Sequence, residues 1–186
     1  MVRISEAITE DHRELESLYR TIVNSEDADE QTRFQNQFTW ELAQHAVAEE
    51  LVVHPAIEKV LPDGKETTDR GRREHSTIKE MLDVFQDLNC SDARFLPTIT
   101  VLMDGLTQHM REETVELVNL ESYLALEDSE QLAESLRSTK IFVPSRSHPE
   151  IRQPPYETAA GLLTAPLDHL QDLFKKWPED KGDPME

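Results

Sequence analysis

Hydrophobic residues recur every three or four positions over most of the first 138 residues of the chain. Such spacing lines one face of an α-helix, which turns about once every 3.6 residues. Four long helices are predicted, over residues 5–23, 31–61, 68–88 and 93–126. A short fifth helix is predicted to begin at Asp128, where Gln131 completes a capping-box pattern. The expected fold is all-α, an up-down four-helix bundle.

Single residues mark two features of these helices. Ser5 is predicted to cap the first helix, because a serine hydroxyl accepts a hydrogen bond from a free backbone N–H at a helix start. Pro55 falls inside the second helix and is expected to kink it, since proline removes one backbone donor. The sequence Pro62-Asp63-Gly64 then predicts a break before the third helix.

The composition changes after Lys140, since seven of the ten prolines lie beyond it. We expect two parts, a bundle over residues 1–138 and a proline-rich C-terminal extension over residues 139–186. The extension is predicted to end in a short amphipathic helix that packs on the bundle or on a partner. Its apolar positions are Leu163, Leu167, Leu170, Phe174 and Trp177, and its polar ones are Asp168, His169, Asp172 and Lys175.

The negative net charge of the chain limits the kinds of molecule that it is expected to bind. Thirty-eight acidic against nineteen basic residues give the 186-residue chain a formal charge of −19. This argues against binding to nucleic acid or to an anionic membrane, because phosphate contact needs clustered Lys and Arg.

Cys90 is the only cysteine, so no internal disulfide forms. An acidic N-terminus and the short apolar stretches predict no signal peptide and no membrane span, so a soluble, cytoplasmic protein is expected.

Histidines carry the candidate chemistry, at intervals of 33, 30 and 34 residues: His12, His45, His75 and His109. Two of them are followed four residues later by a glutamate, Glu49 and Glu113. Residues i and i+4 share one helix face, about one turn apart. One helix and a turn consume roughly 30 residues in a bundle, so all six groups are expected at one level. Four imidazoles and two carboxylates are the ligand set of a dinuclear iron or manganese site.

A metal-free bundle is the alternative interpretation, since a single histidine on an apolar helix face is usually a hydrogen-bonded core residue. Glu49 and Glu113 favour the metal site. A buried, unpaired carboxylate lowers the stability of a fold by on the order of several kcal/mol. Two such carboxylates that face one core therefore need protons or cations beside them. Two divalent metals supply that compensation, with each imidazole acting as a neutral ligand.

These residues resemble the hemerythrin-like, or HHE cation-binding, family. The likeness covers residues 1–126 and consists of Asp11-His12, His45-Ala46-Val47-Ala48-Glu49, Glu74-His75 and His109-Met110-Arg111-Glu112-Glu113. It implies a non-haem di-iron centre with an oxo, hydroxo or water bridge, although manganese or zinc accepts the same ligands. By the same likeness His12 and His45 serve one iron, His75 and His109 the other, and Glu49 and Glu113 bridge them. The tail, with Ser147-His148-Pro149 and Pro154-Pro155, is similar to extensions of fungal members.

One position departs from the oxygen-carrying members of the family. They have a second histidine four residues after the third-helix histidine, where this chain has Lys79. The departure argues against reversible oxygen carriage and implies at least one more coordination position open to another ligand. Glu16, Tyr19 and Lys79 are candidates for an additional ligand or for a residue that contacts a ligand. The alternative interpretations, which the sequence favours, are a surface residue for Glu16 and a core residue for Tyr19.

Other polar residues near the candidate ligands have less specific interpretations. Glu50, Glu74 and Glu112 neighbour ligands in the sequence and are interpreted as solvated or as partners of ligands. The remaining histidines are interpreted as non-ligands, namely His54, His148 and His169.

Three functions follow from these observations. The leading hypothesis is a di-iron protein that binds O2, NO or a peroxide, or that holds or senses iron. The second is an enzyme on the same metals, an oxidase, an oxygenase or a peroxide-decomposing enzyme. The third is a metal-free helical interaction module. Metal content separates the third from the others, and oxygen consumption under reductant separates the first two.

Overall fold

The computed structural model describes residues 2–147, 168–169, 171–173 and 175–178. Five helices make up the bulk of these residues: α1 (Ile4–Asn24), α2 (Ala28–Val60), α3 (Gly64–Gln86), α4 (Phe95–Glu121) and α5 (Leu126–Lys140). The described part of the chain contains no strand. The predicted all-α fold is therefore confirmed. Among the described residues, no helix is both long enough and apolar enough to cross a membrane.

The first four helices form a ring in which each packs on the next and α4 returns to α1. Their connections are short, so successive helices run in opposite directions, as in an up-down bundle. The fifth helix lies outside this ring, against α2 and α1. The helix α2 thus has three neighbours and continues through Pro55 without interruption.

Local capping sets the start of α2, whereas a close contact sets the start of α3. The Asp27 carboxylate accepts from the backbone N–H groups of Asp29 and Glu30, so α2 begins three residues earlier than predicted. α3 begins at Gly64, four residues earlier than predicted. A Cβ at that position would lie 2.3 Å from the carbonyl oxygen of Ile57. Only glycine permits this approach to the end of α2, so the break between the two helices is shorter than the sequence indicates.

Tertiary contacts override two predicted helix starts. The cap of α1 is Arg3, not Ser5, whose hydroxyl instead donates to Glu121 at 2.8 Å. The cap of α5 is Ala125, not Asp128. The hydroxyl of buried Ser129 accepts from the Ile4 N–H at 3.1 Å and donates to Glu121 at 2.9 Å, which joins α5 to the start of α1 and the end of α4.

The predicted end of α4 at residue 126 is also wrong, since the helix ends at Glu121. Leu124 continues the apolar periodicity beyond this end, but it packs on the core from the turn that leads into α5. An apolar residue at helical spacing therefore does not require a continuous helix.

The buried apolar side chains form two clusters along the bundle axis. On α1, Ile8 belongs to one cluster and Leu15 to the other, with His12 between them. On α4, Met110 and Leu117 flank Glu113 in the same way. The polar level predicted from the sequence thus separates two apolar layers, which screen it from solvent at both ends.

Only part of the C-terminal extension lies among the described residues. Residues 168–169 and 171–172 are helical. Asp168 and Asp172, predicted to form the polar face, are buried instead. Asp172 accepts hydrogen bonds from Ser145 and Arg146. Trp177 packs edge-on against Trp40, with ring centroids 6.3 Å apart. The other predicted apolar positions lie outside the described residues, namely Leu163, Leu167, Leu170 and Phe174, as does His148.

Candidate metal centre

The six candidate ligands come from four helices and meet between the two apolar layers. None of them is more than 7% exposed. Their side-chain nitrogens and oxygens form two groups, in each of which the atoms lie within 4.8 Å of one another. The first group is His12, His45, Glu49 and Glu113, and the second is Glu49, His75 and His109. Glu49 belongs to both groups.

The two oxygens of Glu49 face different groups. Oε1 lies 2.9 Å from Nε2 of His45, in the first group, and Oε2 lies 3.3 Å from Nε2 of His75, in the second. This is the arrangement that a carboxylate needs to bridge two metal ions. Glu113 is placed less symmetrically, since its Oε2 is 3.1 Å from Nε2 of His12 and 3.9 Å from Nε2 of His109. It belongs to the first group only, so a bridge at Glu113 stays a prediction.

The donor atoms fit a metal site better than they fit a metal-free core. Five of them are buried and make no hydrogen bond of good geometry among the described residues, although they lie within ion-pair distance of one another, namely Nε2 of His12 and His45, both oxygens of Glu49 and Oε2 of Glu113. In the second group, Nε2 of His75 and Nε2 of His109 lie only 3.0 Å apart. Buried polar atoms are normally paired, because an unsatisfied one costs about 1–3 kcal/mol. Imidazole nitrogens and carboxylate oxygens that converge in this way suit iron, manganese or zinc.

Without metal, protons compensate the buried carboxylates. Burial opposes the charged form of His45, but Glu49 and Asp11 outweigh it and raise its pKa to about 10. Burial also opposes the charged form of His75, while Glu49 and Glu50 raise its pKa to about 9. Burial and the charge on His75 lower the pKa of His109. A metal ion bound at Nε2 of His45 or His75 would have to displace a proton there.

In three of the four histidines, the ring nitrogen that points away from the centre, Nδ1, contacts a carboxylate. Asp11 lies 3.1 Å from Nδ1 of His45. Glu50 lies 3.0 Å from Nδ1 of His75, and Glu74 lies 2.8 Å from Nδ1 of His109. A carboxylate at Nδ1 keeps the proton there and leaves Nε2 free for a metal. In each case Nε2 is the nitrogen that faces the centre.

These carboxylates follow a simple sequence rule that the helical periodicity does not reveal. Asp11, Glu50 and Glu74 each adjoin a candidate ligand on their own helix, and each contacts a histidine of the next helix in the chain. Glu50 and Glu74 are thus partners of ligands, one of their two predicted interpretations, and Asp11 was missed. Glu112 instead lies at the surface, 3.6 Å from Arg70. No equivalent contact to Nδ1 of His12 occurs among the described residues.

The structure separates the three additional candidates. Lys79 Nζ lies 2.8 Å from Oε1 of Glu50, so the lysine contacts a ligand's partner. Tyr19 is partly buried and packs on the apolar cluster that contains Leu15. Glu16 is 42% exposed and pairs with Arg20, so the structure does not bring it to the centre.

His54 and His169, both predicted non-ligands, lie outside the two donor groups. His54 is nevertheless buried and stacks on His75, with ring centroids 5.5 Å apart and an interplanar angle of 21°. Burial, together with the charge on His75, lowers its pKa to about 4. Room for its ring comes from Gly71 on α3, where a Cβ would lie 3.3 Å from Nε2 of His54. His169 contacts the carbonyl oxygen of Val143.

Comparison with known proteins identifies the family to which this chain belongs. The hemerythrin HHE cation-binding domain matches residues 3–120. An uncharacterised hemerythrin-like protein of Schizosaccharomyces pombe is 47% identical over 181 residues, which cover 96% of this chain and 89% of that protein. The chain therefore belongs to the hemerythrin-like family, and the expected likeness to a fungal member is confirmed.

A more distant match is a DNA nickase of Nostoc. It is 25% identical over 146 residues, which cover 78% of this chain but only 41% of that protein. No solved structure matches the chain.

Proposed function

We propose that the chain holds two iron ions in the buried centre and binds a small molecule there, O2, NO or a peroxide. The observation that supports this most directly is the position of Glu49, whose two oxygens face one donor group each. Such a residue serves two adjacent ions at once. The first ion would be held by His12, His45, Glu49 and Glu113, and the second by Glu49, His75 and His109, which leaves the second with fewer protein ligands.

The protein contributes binding, orientation and exclusion of water. Asp11, Glu50 and Glu74 fix three imidazoles with Nε2 inward. The apolar layers that flank the centre, with Leu15 on one side and Ile8 on the other, limit the access of water and protons. Iron in such a site supplies electrons to a bound oxygen- or nitrogen-containing molecule. The protein would thus act as a small-molecule binder or as a protein that stores or senses iron.

An oxidase, oxygenase or peroxide-decomposing enzyme on the same metals is the second candidate, and the lower number of protein ligands in the second group is the observation that favours it. The charge of the chain argues against a DNA-directed activity like that named for the Nostoc relative. A chain with a formal charge of −19 is repelled by a phosphate backbone.

Metal analysis tests the proposal. Protein expressed in iron-replete medium should carry about two ions per chain, and His45→Ala should lose them. Glu16→Ala is the control, because Glu16 lies one turn from the candidate ligand His12 on α1 but pairs with Arg20 at the surface. Wild-type protein that contains no transition metal would exclude the site. Mixing the reduced protein with O2, NO or peroxide, with and without oxidisable substrates, then separates binding from turnover.

A further inference from the structure

Two lysines form ion pairs with carboxylates that contact the candidate ligands on the side away from the centre. Lys140, the last residue of α5, contacts Oδ2 of Asp11, the same oxygen that bonds to His45. Lys79 contacts Oε1 of Glu50, the oxygen that bonds to His75. Each lysine is 15–17% exposed, so both ion pairs are largely withdrawn from water. The result is two rows of contacting side chains. Each row runs from a lysine through a carboxylate to an imidazole of one donor group.

A single short segment of chain connects the two rows. Residues 140–147, which we call the clasp, begin at Lys140 and end at Ser147. The hydroxyl of Ser147 donates to the backbone carbonyl of Lys79. Ser147 also exchanges hydrogen bonds with the side chain of Gln86, since its N–H donates to Oε1 at 3.0 Å and its carbonyl accepts from Nε2 at 3.2 Å. The clasp thus contacts α3 one turn from His75.

The clasp is held in place although it is not helical over most of its length. Val143, Ser145 and Ser147 are each at most 4% exposed. Asp172 of the C-terminal extension accepts from Ser145 and from Arg146. Polar groups buried with their partners satisfied favour one position of a segment over others. The clasp therefore has a defined docked state whose two ends lie beside the two donor groups.

We propose that the clasp is a positioning element for the metal centre, and that metal binding and docking of the clasp stabilise each other. Docking places Lys140 on Asp11 and anchors the backbone at Lys79. Lys140 thereby holds Asp11 against Nδ1 of His45, with Nε2 directed at the metals. The bonds of Ser147 hold the part of α3 that carries Lys79, the partner of Glu50 behind His75. Undocking leaves Asp11 free to turn toward water and loosens the contact with α3, so the imidazoles lose part of their fixed orientation. Coupling of this kind is reciprocal, so metal must also favour the docked clasp.

The first test compares two substitutions on α5. Lys140→Met removes the cation but keeps an unbranched side chain that is no larger than that of lysine. Arg137→Met is the matched control, because Arg137 lies one turn away, is 51% exposed and pairs only weakly with Glu134. Affinity for Fe(II) and for Co(II) is measured by competition with a chelator. We expect about 10-fold weaker binding in Lys140→Met, the lower end of the loss caused by removing a group that orients a ligand.

Two further measurements separate positioning from general destabilisation. Lys140→Arg should recover most of the affinity. The absorption bands of the Co(II)-loaded Lys140→Met protein should shift relative to those of Arg137→Met, a change in ligand orientation that a loss of stability alone does not produce. Hydrogen exchange at residues 141–147 should slow when metal is added to the wild type. Ser147→Ala loosens the other end of the clasp and should reduce this protection, which provides an independent variant if Lys140→Met does not fold.

The inference depends on the proposed metal site, and the outcomes distinguish the two. Wild-type protein that binds no metal contradicts the proposed function. If the wild type binds metal and Lys140→Met and Ser147→Ala bind it equally well, the site stands and the clasp is not a positioning element. If the rate of hydrogen exchange in the clasp does not change when metal is added, the conclusion is the same.

Discussion

Glu50→Gln tests how strongly the residues behind the ligands contribute to metal binding. The Glu50 carboxylate is 10% exposed and has two partners, Nδ1 of His75 at 3.0 Å and Nζ of Lys79 at 2.8 Å. Burial opposes its ionisation, but His75 and Lys79 outweigh that effect and lower its pKa to about 2. Glutamine has the same shape and retains an acceptor oxygen, but it carries no charge. The substitution therefore removes electrostatics while the packing is preserved.

Two free-energy effects follow from this change. Loss of a carboxylate behind a metal-binding imidazole costs about 10- to 100-fold in metal affinity, or about 1.4–2.7 kcal/mol. Separately, Lys79 keeps its charge in a site that is only 15% exposed and loses its counter-ion. The glutamine oxygen can still accept a hydrogen bond, which limits the loss. The unfolding free energy should therefore fall by only about 1–3 kcal/mol.

A double variant separates the two effects. Adding Lys79→Met to Glu50→Gln removes the unpaired charge, so the unfolding free energy of the metal-free protein should recover most of its loss. Metal affinity should not recover, since His75 still lacks its carboxylate. Unfolding is followed in urea without metal, and affinity is measured by competition with a chelator. A metal affinity in Glu50→Gln within about 2-fold of the wild type would refute the reasoning that Glu50 orients His75.

Two other predictions concern the donor groups themselves. Glu49→Gln should abolish binding of both ions, whereas Glu113→Gln should leave the ion held by His75 and His109, as counted by elemental analysis; equal metal content in both variants would contradict the shared position of Glu49. The contribution of His45 and His75 to the stability of metal-free protein should be fully present below the unfolded pKa of about 6.5 and should be lost as pH rises through about 9 to 10, because their folded-state pKa values are raised. Urea unfolding at pH 7 and pH 10 measures this fall, which metal-loaded protein should lack because metal replaces the protons; a flat pH dependence without metal would show that the histidines are neutral.

Local periodicity was sufficient to predict the helices and the residues that meet at the centre. The pairs His45–Glu49 and His109–Glu113 each lie on one face of one helix, and that relation depends only on the helical repeat. Near-equal intervals between the histidines then place the four helices in register. Helix ends were less predictable, because Gly64 and Ser129 act through contacts with other helices.

Only the tertiary structure decided which groups pair across helices. The contacts of Asp11 with His45 and of Lys79 with Glu50 depend on how far each helix is rotated and shifted against its neighbour. The periodicity of a single helix contains neither quantity. The same applies to the clasp, whose contacts with the bundle link residues more than 60 positions apart, as in Ser147 with Lys79 at 68. Sequence thus determined which residues reach the centre, and packing determined how Glu49 is shared and what holds the ligands in place.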